Sequence, residues 1–158
     1  MAVARVHVRS WQVAYRGLIP DDYLDQLRPE ERATRYSFGN PDPLQPSTMV
    51  AADEGVIRGF ATTAPAREPD LQGYGELWAL YVDPGHWGRG IGAALASAAR
   101  ARLSGLGFAN AVLWMLEGNV QADRFYRKDG WAPDGGRGVR SVGGVNVNKV
   151  RYRRRLDG

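Results

Sequence analysis

The sequence predicts a mixed α/β (α+β) fold with a partly parallel sheet, and three observations lead to this fold class. Strand-like and helix-like segments alternate through the second half of the chain, an arrangement that favours parallel strand pairs. Two short apolar runs flank the polar turn Asp53-Glu54-Gly55, which predicts an antiparallel hairpin before that half. The length of 158 residues suits one self-sufficient core, so we expect a single domain over residues 1–158.

Helices are predicted to precede the hairpin. The segment 2–14 carries apolar residues at helical spacing, and Gly17 and Pro20 follow it as helix-ending residues. Acidic residues then open two short segments, 21–27 and 29–36, at the end of a helix where the dipole favours negative charge. We therefore expect one long and two short helices.

Strands and helices alternate after a loop over residues 39–46. The remaining predicted elements, in order, are strands at 48–52 and 56–63, a loop at 65–75, a strand at 76–82, a helix at 92–104, a strand at 109–116, a helix at 120–128, an edge-like segment from 131 to 133, a glycine-rich loop through 144 and a last strand at 145–156.

Composition excludes several classes of protein. The chain has no cysteine, and His7 and His86 are its two histidines, so thiol chemistry and a metal site are not expected. No apolar run approaches the roughly 18 residues of a membrane span, and no secretory signal segment is visible. We expect a cytoplasmic protein that does not enter a membrane.

The net charge of +4 and the pI of 9.7 raise the question of a polyanionic partner. The basic cluster Arg151-Tyr-Arg-Arg-Arg155 alternates along a strand, which predicts one solvated face of the last strand. Because the sequence features of nucleic-acid binders are missing, no nucleic-acid partner is expected.

A glycine-rich turn, Trp87-Gly88-Arg89-Gly90-Ile91-Gly92, lies between a predicted strand and a predicted helix. Glycines let backbone N–H groups approach a ligand, and the helix dipole adds to the attraction, so a diphosphate would fit there. The turn could also be only a tight connection. Its spacing differs from the Gly-x-Gly-x-x-Gly of dinucleotide-dependent oxidoreductases, which makes that class a weak rival.

A second motif, Glu117-Gly-Asn-Val-Gln-Ala-Asp-Arg-Phe-Tyr-Arg-Lys-Asp-Gly-Trp131, reads as a strand end, an Asn cap, an amphipathic helix and a Gly stop. Asn119 and Tyr126 are seven positions apart, about two helical turns, so both polar groups face the same way. The competing interpretations are an ordinary helix cap for Asn119 and a core aromatic residue for Tyr126.

Together these two motifs, in this order and separation, resemble the GNAT superfamily of acyl-CoA-dependent N-acyltransferases over about 55 residues. The resemblance implies a three-layer fold, with helices flanking a mixed, mostly antiparallel sheet that is splayed between the fourth and fifth strands of the family. It also implies an acetyl-CoA-dependent N-acetyltransferase as the function and acetyl-CoA and an amine acceptor as the partners. A non-catalytic module that senses acyl-CoA is the alternative.

The resemblance also implies roles for individual residues. Tyr126 would protonate the departing thiolate, and Glu76 would deprotonate the amine directly or through water, with Glu117 as a weaker substitute. Asn119 would hydrogen-bond the pantetheine arm. The implied cofactor-binding residues are Leu80, Tyr81 and Val82 for that arm and Trp87, Gly88, Arg89, Gly90, Ile91 and Gly92 for the diphosphate.

Elementary chemistry requires the same groups. An amine with a pKa of about 8 to 10.4 must lose a proton before it attacks a thioester, and the oxyanion that forms needs a donor such as an N–H near Tyr81. Without cysteine, direct transfer in a ternary complex is simpler than a covalent enzyme intermediate. We expect loops 65–75 and 135–144 to grip the acceptor, and the helix face His7, Trp11 and Tyr15 either to line its pocket or to pack in the core.

The chain departs from the family pattern at two places. Trp87 stands where the family usually has Gln or Arg, but an anion held by backbone N–H groups should still bind. Met1 falls almost inside the first helix, so the usual first strand is missing or lies outside this chain. The hairpin would then expose an unpaired edge, which favours a homodimer.

Overall fold

A computed structural model describes residues 1–31, 33, 36, 38, 42 and 44–156. Its α-helices are α1 (Ala2–Ala14), α2 (Asp21–Asp25), α3 (Ile91–Gly105) and α4 (Val120–Lys128). Its strands are β1 (Ser47–Asp53), β2 (Val56–Pro65), β3 (Gly75–Val82), β4 (Asn110–Leu116), β5 (Ala132–Val142) and β6 (Val145–Arg155). The predicted third helix begins as a 3₁₀ turn at Pro29–Glu31, but residues 32, 34 and 35 lie outside the described residues, as do four positions of the predicted loop 39–46.

The strands form one six-stranded sheet in the order β1-β2-β3-β4-β6-β5. The β3–β4 pair is parallel, and the other four neighbouring pairs are antiparallel. This confirms the predicted mixed, mostly antiparallel sheet. The parallel pair arises because α3 connects the two strands, as a crossover connection must.

The sheet opens between β3 and β4. Pairing joins Gly75 to Ala111, Glu76 to Val112 and Leu77 to Leu113, and beyond Leu77 the two strands are no longer paired. These are the family's fourth and fifth strands once its usual first strand is counted, so the predicted splay is confirmed. The backbone groups that face this gap from the second half of β3 have no β4 partner.

Helices cover both faces of the sheet and complete three layers. On one face α3 and α4 bury a core that includes Leu77, Leu95 and Tyr126. On the other face α1 and α2 bury two clusters, around Trp11 and Leu24 and around Phe60. The apolar side of α1 supplies these contacts because its buried residues recur at helical spacing.

The prediction of a loop over 135–144 is wrong. Residues up to Val142 belong to β5, and the connection to β6 is a tight turn at Gly143 and Gly144, whose φ angles of 60° and 81° suit a two-residue hairpin. Glycine is an unfavourable residue in strands, but the pairing of β5 with the long strand β6 outweighs this low strand propensity.

No strand precedes α1 in the described residues, and β1 lies at an edge of the sheet. An isolated parallel bridge joins Phe38 to Thr48 at that edge. Among the same residues, none of the helices is long and apolar enough to cross a membrane.

Candidate active site

Two cavities meet at the gap between β3 and β4. The first, here called the glycine-turn groove, has a volume of about 560 Å³ and runs from the start of α3 to α4. The second, here called the aromatic pocket, has a volume of about 480 Å³ and lies toward α1 and β6. Both are lined by Tyr15, Trp78, Ala79, Tyr81, Trp114 and Met115. A molecule in the groove can therefore reach a molecule in the pocket through the gap.

The glycine-rich turn leaves backbone donors open at the groove. Gly88 and Gly90 have φ angles of 76° and 81°, and a Cβ added at either would meet no atom within 4 Å. Gly90 caps α3 without a side-chain hydrogen bond, so the first N–H groups of the helix have no intrahelical partner. This arrangement fits a diphosphate, which the exposed N–H groups and the helix dipole would both attract.

Trp87, at the position where the family usually has Gln or Arg, lines the groove and uses its side-chain N–H for a hydrogen bond within the protein. Its indole Nε1–H donates to the carbonyl oxygen of Val82 at 2.8 Å, which fastens the turn to the end of β3. Next to it, buried Asp83 pairs with Arg9 of α1 at 2.8 Å. Of the predicted diphosphate residues, Arg89 is exposed and does not line the groove.

Asn119 and Tyr126 both line the groove, as their spacing predicted. Asn119 is a true helix cap, because its Oδ1 accepts from the backbone N–H of Ala122 at 3.1 Å. Tyr126 is 9% exposed and packs edge-on against Phe125. Burial, with smaller contributions from Tyr81 and Asp129, raises the pKa of Tyr126, so the phenol keeps its proton.

Glu76 lines the aromatic pocket and is 1% exposed, whereas an ordinary strand glutamate is solvated. One carboxylate oxygen, Oε2, accepts from Arg67 at 3.0 Å, and the other, Oε1, has no hydrogen-bond partner among the described residues. Burial raises the pKa of Glu76, and Arg67 opposes this by favouring the ionised form. A buried, half-satisfied carboxylate of this kind can accept a proton from a bound group.

A β-bulge allows Glu76 and Tyr81 to share the pocket. The two residues are five positions apart, which in a regular strand would place them on opposite faces. Pairing with β2 joins Leu77 to Thr63 and Ala79 to Thr62, so Trp78 is an extra residue in β3. Beyond the bulge the strand has changed face, and Tyr81 again lines the pocket.

The helix face His7, Trp11 and Tyr15 divides between the two predicted roles. His7 and Tyr15 line the aromatic pocket, whereas Trp11 is 2% exposed and packs in the core. The Tyr15 hydroxyl lies 3.1 Å from the Tyr81 hydroxyl, and burial raises the pKa of Tyr15 well above its ordinary value.

Other parts of the pocket wall went unpredicted. Trp78, Trp114, Arg140 and Lys149 line it from four different strands, and only the strand register brings them together. Glu117, the weaker candidate base, pairs with Arg137 at 3.1 Å and lines neither cavity.

The basic cluster of the last strand is only partly the solvated face that its alternation predicted, since Arg155 is exposed and Arg151 is not. Arg151 and Arg153 pair with Asp134 at 2.8 Å and 3.2 Å, and Arg151 is only 12% exposed. Strand β5 thus supplies the acid that neutralises the middle of this cluster.

The fold, the open glycine turn and the gap are features that the resemblance to the GNAT superfamily predicted, and comparison with known families agrees. The model of the acetyltransferase (GNAT) family matches residues 8–131, and the chain belongs to this family. The predicted resemblance to this family is confirmed.

Two curated proteins are similar to the chain. It is 34% identical over 119 residues to the uncharacterized N-acetyltransferase YuaI of Bacillus subtilis, a match over 74% of this chain and 66% of that protein. It is 36% identical over 125 residues to the mycothiol acetyltransferase of Mycobacteroides abscessus, a match over 78% of this chain and 38% of that protein. The chain thus spans just under two thirds of the first relative and well under half of the second.

Solved structures share the fold at lower identity. The PaiA N-acetyltransferase from Thermoplasma acidophilum, in complex with coenzyme A, has a TM-score of 0.72 at 18% identity over 98% of this chain and 91% of its own. The ribosomal-protein-alanine N-acetyltransferase from Brucella melitensis has a TM-score of 0.69 at 18% identity over 96% and 93%.

Proposed function

We propose that the chain, as a single domain over residues 1–158, transfers the acetyl group of acetyl-CoA to a primary amine within a ternary complex. The observation that carries the proposal is the pair of cavities joined at the β3–β4 gap, with a phenol in one and a buried carboxylate in the other. Acetyl-CoA would occupy the glycine-turn groove, and the amine would occupy the aromatic pocket.

The proposed donor contacts follow the groove. The diphosphate would lie on the N–H groups of the glycine-rich turn, residues 87–92. The pantetheine arm would pair with the open edge of residues 80–82 and with Asn119. The thioester would then reach the gap, where a β3 N–H near Tyr81 is available to the oxyanion.

The proposed chemistry needs one base and one acid. Glu76 takes a proton from the ammonium group, and the free amine attacks the thioester carbonyl carbon, so a C–N bond forms. The C–S bond then breaks, and the thiolate of coenzyme A accepts a proton from the Tyr126 hydroxyl. The proton that the amide nitrogen loses restores the phenol, and Glu76 releases its own proton to solvent. Glu76 Oε1 supports the base role because it has no hydrogen-bond partner in the described part of the chain.

Two measurements test the proposal. Acetyl-CoA at 100 times its dissociation constant should stabilise the protein by about 2.7 kcal/mol, and NAD should give no shift. A thiol-release assay across polyamines, aminoglycosides, amino acids and protein N-termini should then show amine-dependent release of coenzyme A. Binding of acetyl-CoA without release for any amine class would instead support a non-catalytic sensing module.

Three finer points stay predictions from the sequence: a cytoplasmic location, a homodimer formed through the edge of the sheet, and the lack of a nucleic-acid partner. The position of β1 at an edge supports the second of these, since an unpaired strand edge can pair with another copy.

A further inference from the structure

The aromatic pocket carries an excess of positive charge. Among the described residues, its lining includes three cationic side chains, Arg67, Arg140 and Lys149, and one carboxylate, Glu76, and a second carboxylate, Glu68, accepts a hydrogen bond from Trp114 of the wall. Aromatic rings form much of the remaining wall. A pocket with an excess of positive charge attracts an anionic ligand and repels a polycationic one.

The three cations are not equivalent. Arg67 is engaged by Glu76 and stacks over the ring of Trp78, with its Cζ atom 4.5 Å from the ring centroid. Arg140 and Lys149 have no carboxylate partner in the described ranges, although acidic residues pair with many of the other arginines. These two groups therefore have donors available to a ligand.

The position of Lys149 depends on a glycine in the neighbouring strand. A Cβ added at Gly138 would lie 2.7 Å from Cε of Lys149, so the lysine stem crosses β5 where no side chain blocks it. Its Nζ then lies 4.3 Å from the centroid of the Trp114 ring, at the wall shared by both cavities. The ammonium group is thus held at the entrance to the gap.

Arg140 lies along the same pocket from β5. Its Cζ atom is 5.0 Å from the centroid of the Trp11 ring. Its charge also acts on Tyr15, where it partly opposes the larger rise in pKa that burial causes. Glu76 faces the pocket from β3, so groups suited to an amine and to an anion both line one cavity.

We infer that the acceptor is a small amine that also carries an anionic group, a carboxylate or a phosphate, on an apolar or aromatic body. The inference rests on the proposed function. The amine would bind near Glu76 and the anion would bind Lys149 and Arg140, with the body against the aromatic wall. The acceptors that fit are amino acids and their phosphate-bearing counterparts, whereas polyamines and aminoglycosides do not fit.

Matched acceptors test the charge requirement. L-phenylalanine and 2-phenylethylamine differ only in the carboxylate, and O-phosphoethanolamine and ethanolamine differ only in the phosphate. A charged hydrogen bond contributes enough for us to expect about a tenfold or greater advantage in kcat/KM for the anionic member of at least one pair. The pair with the larger ratio identifies the anion, and spermidine should be the poorest acceptor.

Variants connect the effect to the two cations. Lys149→Met should reduce the anionic-to-neutral ratio of kcat/KM by about tenfold, mainly through KM, and Arg140→Gln should reduce it by about threefold. Gly138→Val should act like Lys149→Met, because the added side chain displaces the lysine stem. Arg137→Gln is the matched control. It removes a positive charge from β5, the strand that carries Arg140, at a position outside the pocket, so the ratio should stay unchanged.

Calorimetry separates failure of this inference from failure of the proposed function. Acetylated products, N-acetylphenylalanine and N-acetyl-2-phenylethylamine, are titrated into the protein in the presence of coenzyme A. Tighter binding of the anionic product to the wild-type protein, with that preference lost in the Lys149→Met variant, supports the inference even if no turnover is detected. A lack of turnover then counts against the proposed function alone. Equal or tighter binding of the neutral product, or preferred turnover of spermidine, overturns the inference while leaving acetyl transfer intact.

Discussion

Replacing Tyr126 with Phe removes the proposed proton donor and leaves the ring in place. General acid–base groups typically contribute 10²- to 10⁴-fold to the rate. Tyr81 and Tyr15 hydroxyls also line the groove and could partly substitute, so we expect a loss in kcat at the lower end, about 100-fold. This corresponds to about 2.7 kcal/mol of transition-state stabilisation.

The loss should appear in kcat and not in binding. The Tyr126 side chain makes no hydrogen bond to another described residue, so the free energy of unfolding should change by less than about 1 kcal/mol. Steady-state thiol release gives kcat and KM, and calorimetry gives the affinity for acetyl-CoA. Because burial raises the pKa of Tyr126, the defect should be the same across neutral and mildly alkaline pH.

Tyr152→Phe is the matched control for this experiment. Tyr152 is 4% exposed, and its hydroxyl donates to Asp123 away from both cavities. Losing this hydrogen bond should lower the stability while leaving kcat unchanged. A Tyr126→Phe enzyme with wild-type kcat at saturating acetyl-CoA would refute the assignment of the acid.

Three further changes test the rest of the site. Because burial raises the pKa of Glu76, kcat/KM should fall as pH drops through that value, and Glu76→Gln should abolish this acid limb in a pH profile. A raised pKa means that the folded state favours the protonated form of Glu76, so the stability that this group contributes is present at low pH and is lost as pH rises through the raised pKa. Thermal melting should therefore show Glu76→Gln to be no less stable than wild type at pH 8. Gly90→Val forces a side chain into a backbone with φ of 81°, so we expect at least a tenfold weaker acetyl-CoA affinity by calorimetry and about 1–2 kcal/mol lost in denaturant unfolding. Asn119→Ala should lose about 1 kcal/mol of stability because it removes the helix cap, and Asn119→Ser should recover that stability. A raised KM for acetyl-CoA in both variants would support the pantetheine contact. A normal KM in Asn119→Ser would show that Asn119 acts only as the helix cap.

Local features of the site could be predicted from the sequence. The glycine-rich turn and the spacing of Asn119 and Tyr126 depend on short-range geometry, because a helix repeats every 3.6 residues wherever it packs. The partly parallel sheet also followed from the alternation of elements. These parts of the fold needed no knowledge of distant contacts.

The acceptor side could not be predicted in this way. Tyr81 reaches the same pocket as Glu76 because of a bulge, and an irregularity of one residue cannot be read from an alternating pattern. Lys149 enters the pocket because β5 offers a glycine beside it, and that strand was itself predicted as a loop. Pairing of distant segments outweighed local preference at both places.

The short run of pairing between β3 and β4 has a mechanical consequence. Strands β1 to β3 and strands β4 to β6 are two halves of one sheet, joined across the gap by three residue pairs near one end. Because so few pairs join the two halves, their far ends are able to move apart. An extended, amide-containing arm that lies between them and hydrogen-bonds to the open strand would hold these ends in place. Amide hydrogen exchange at residues 78–82 should accordingly slow when acetyl-CoA binds, because the acetyl-CoA arm would hydrogen-bond to the backbone groups of β3 that have no β4 partner.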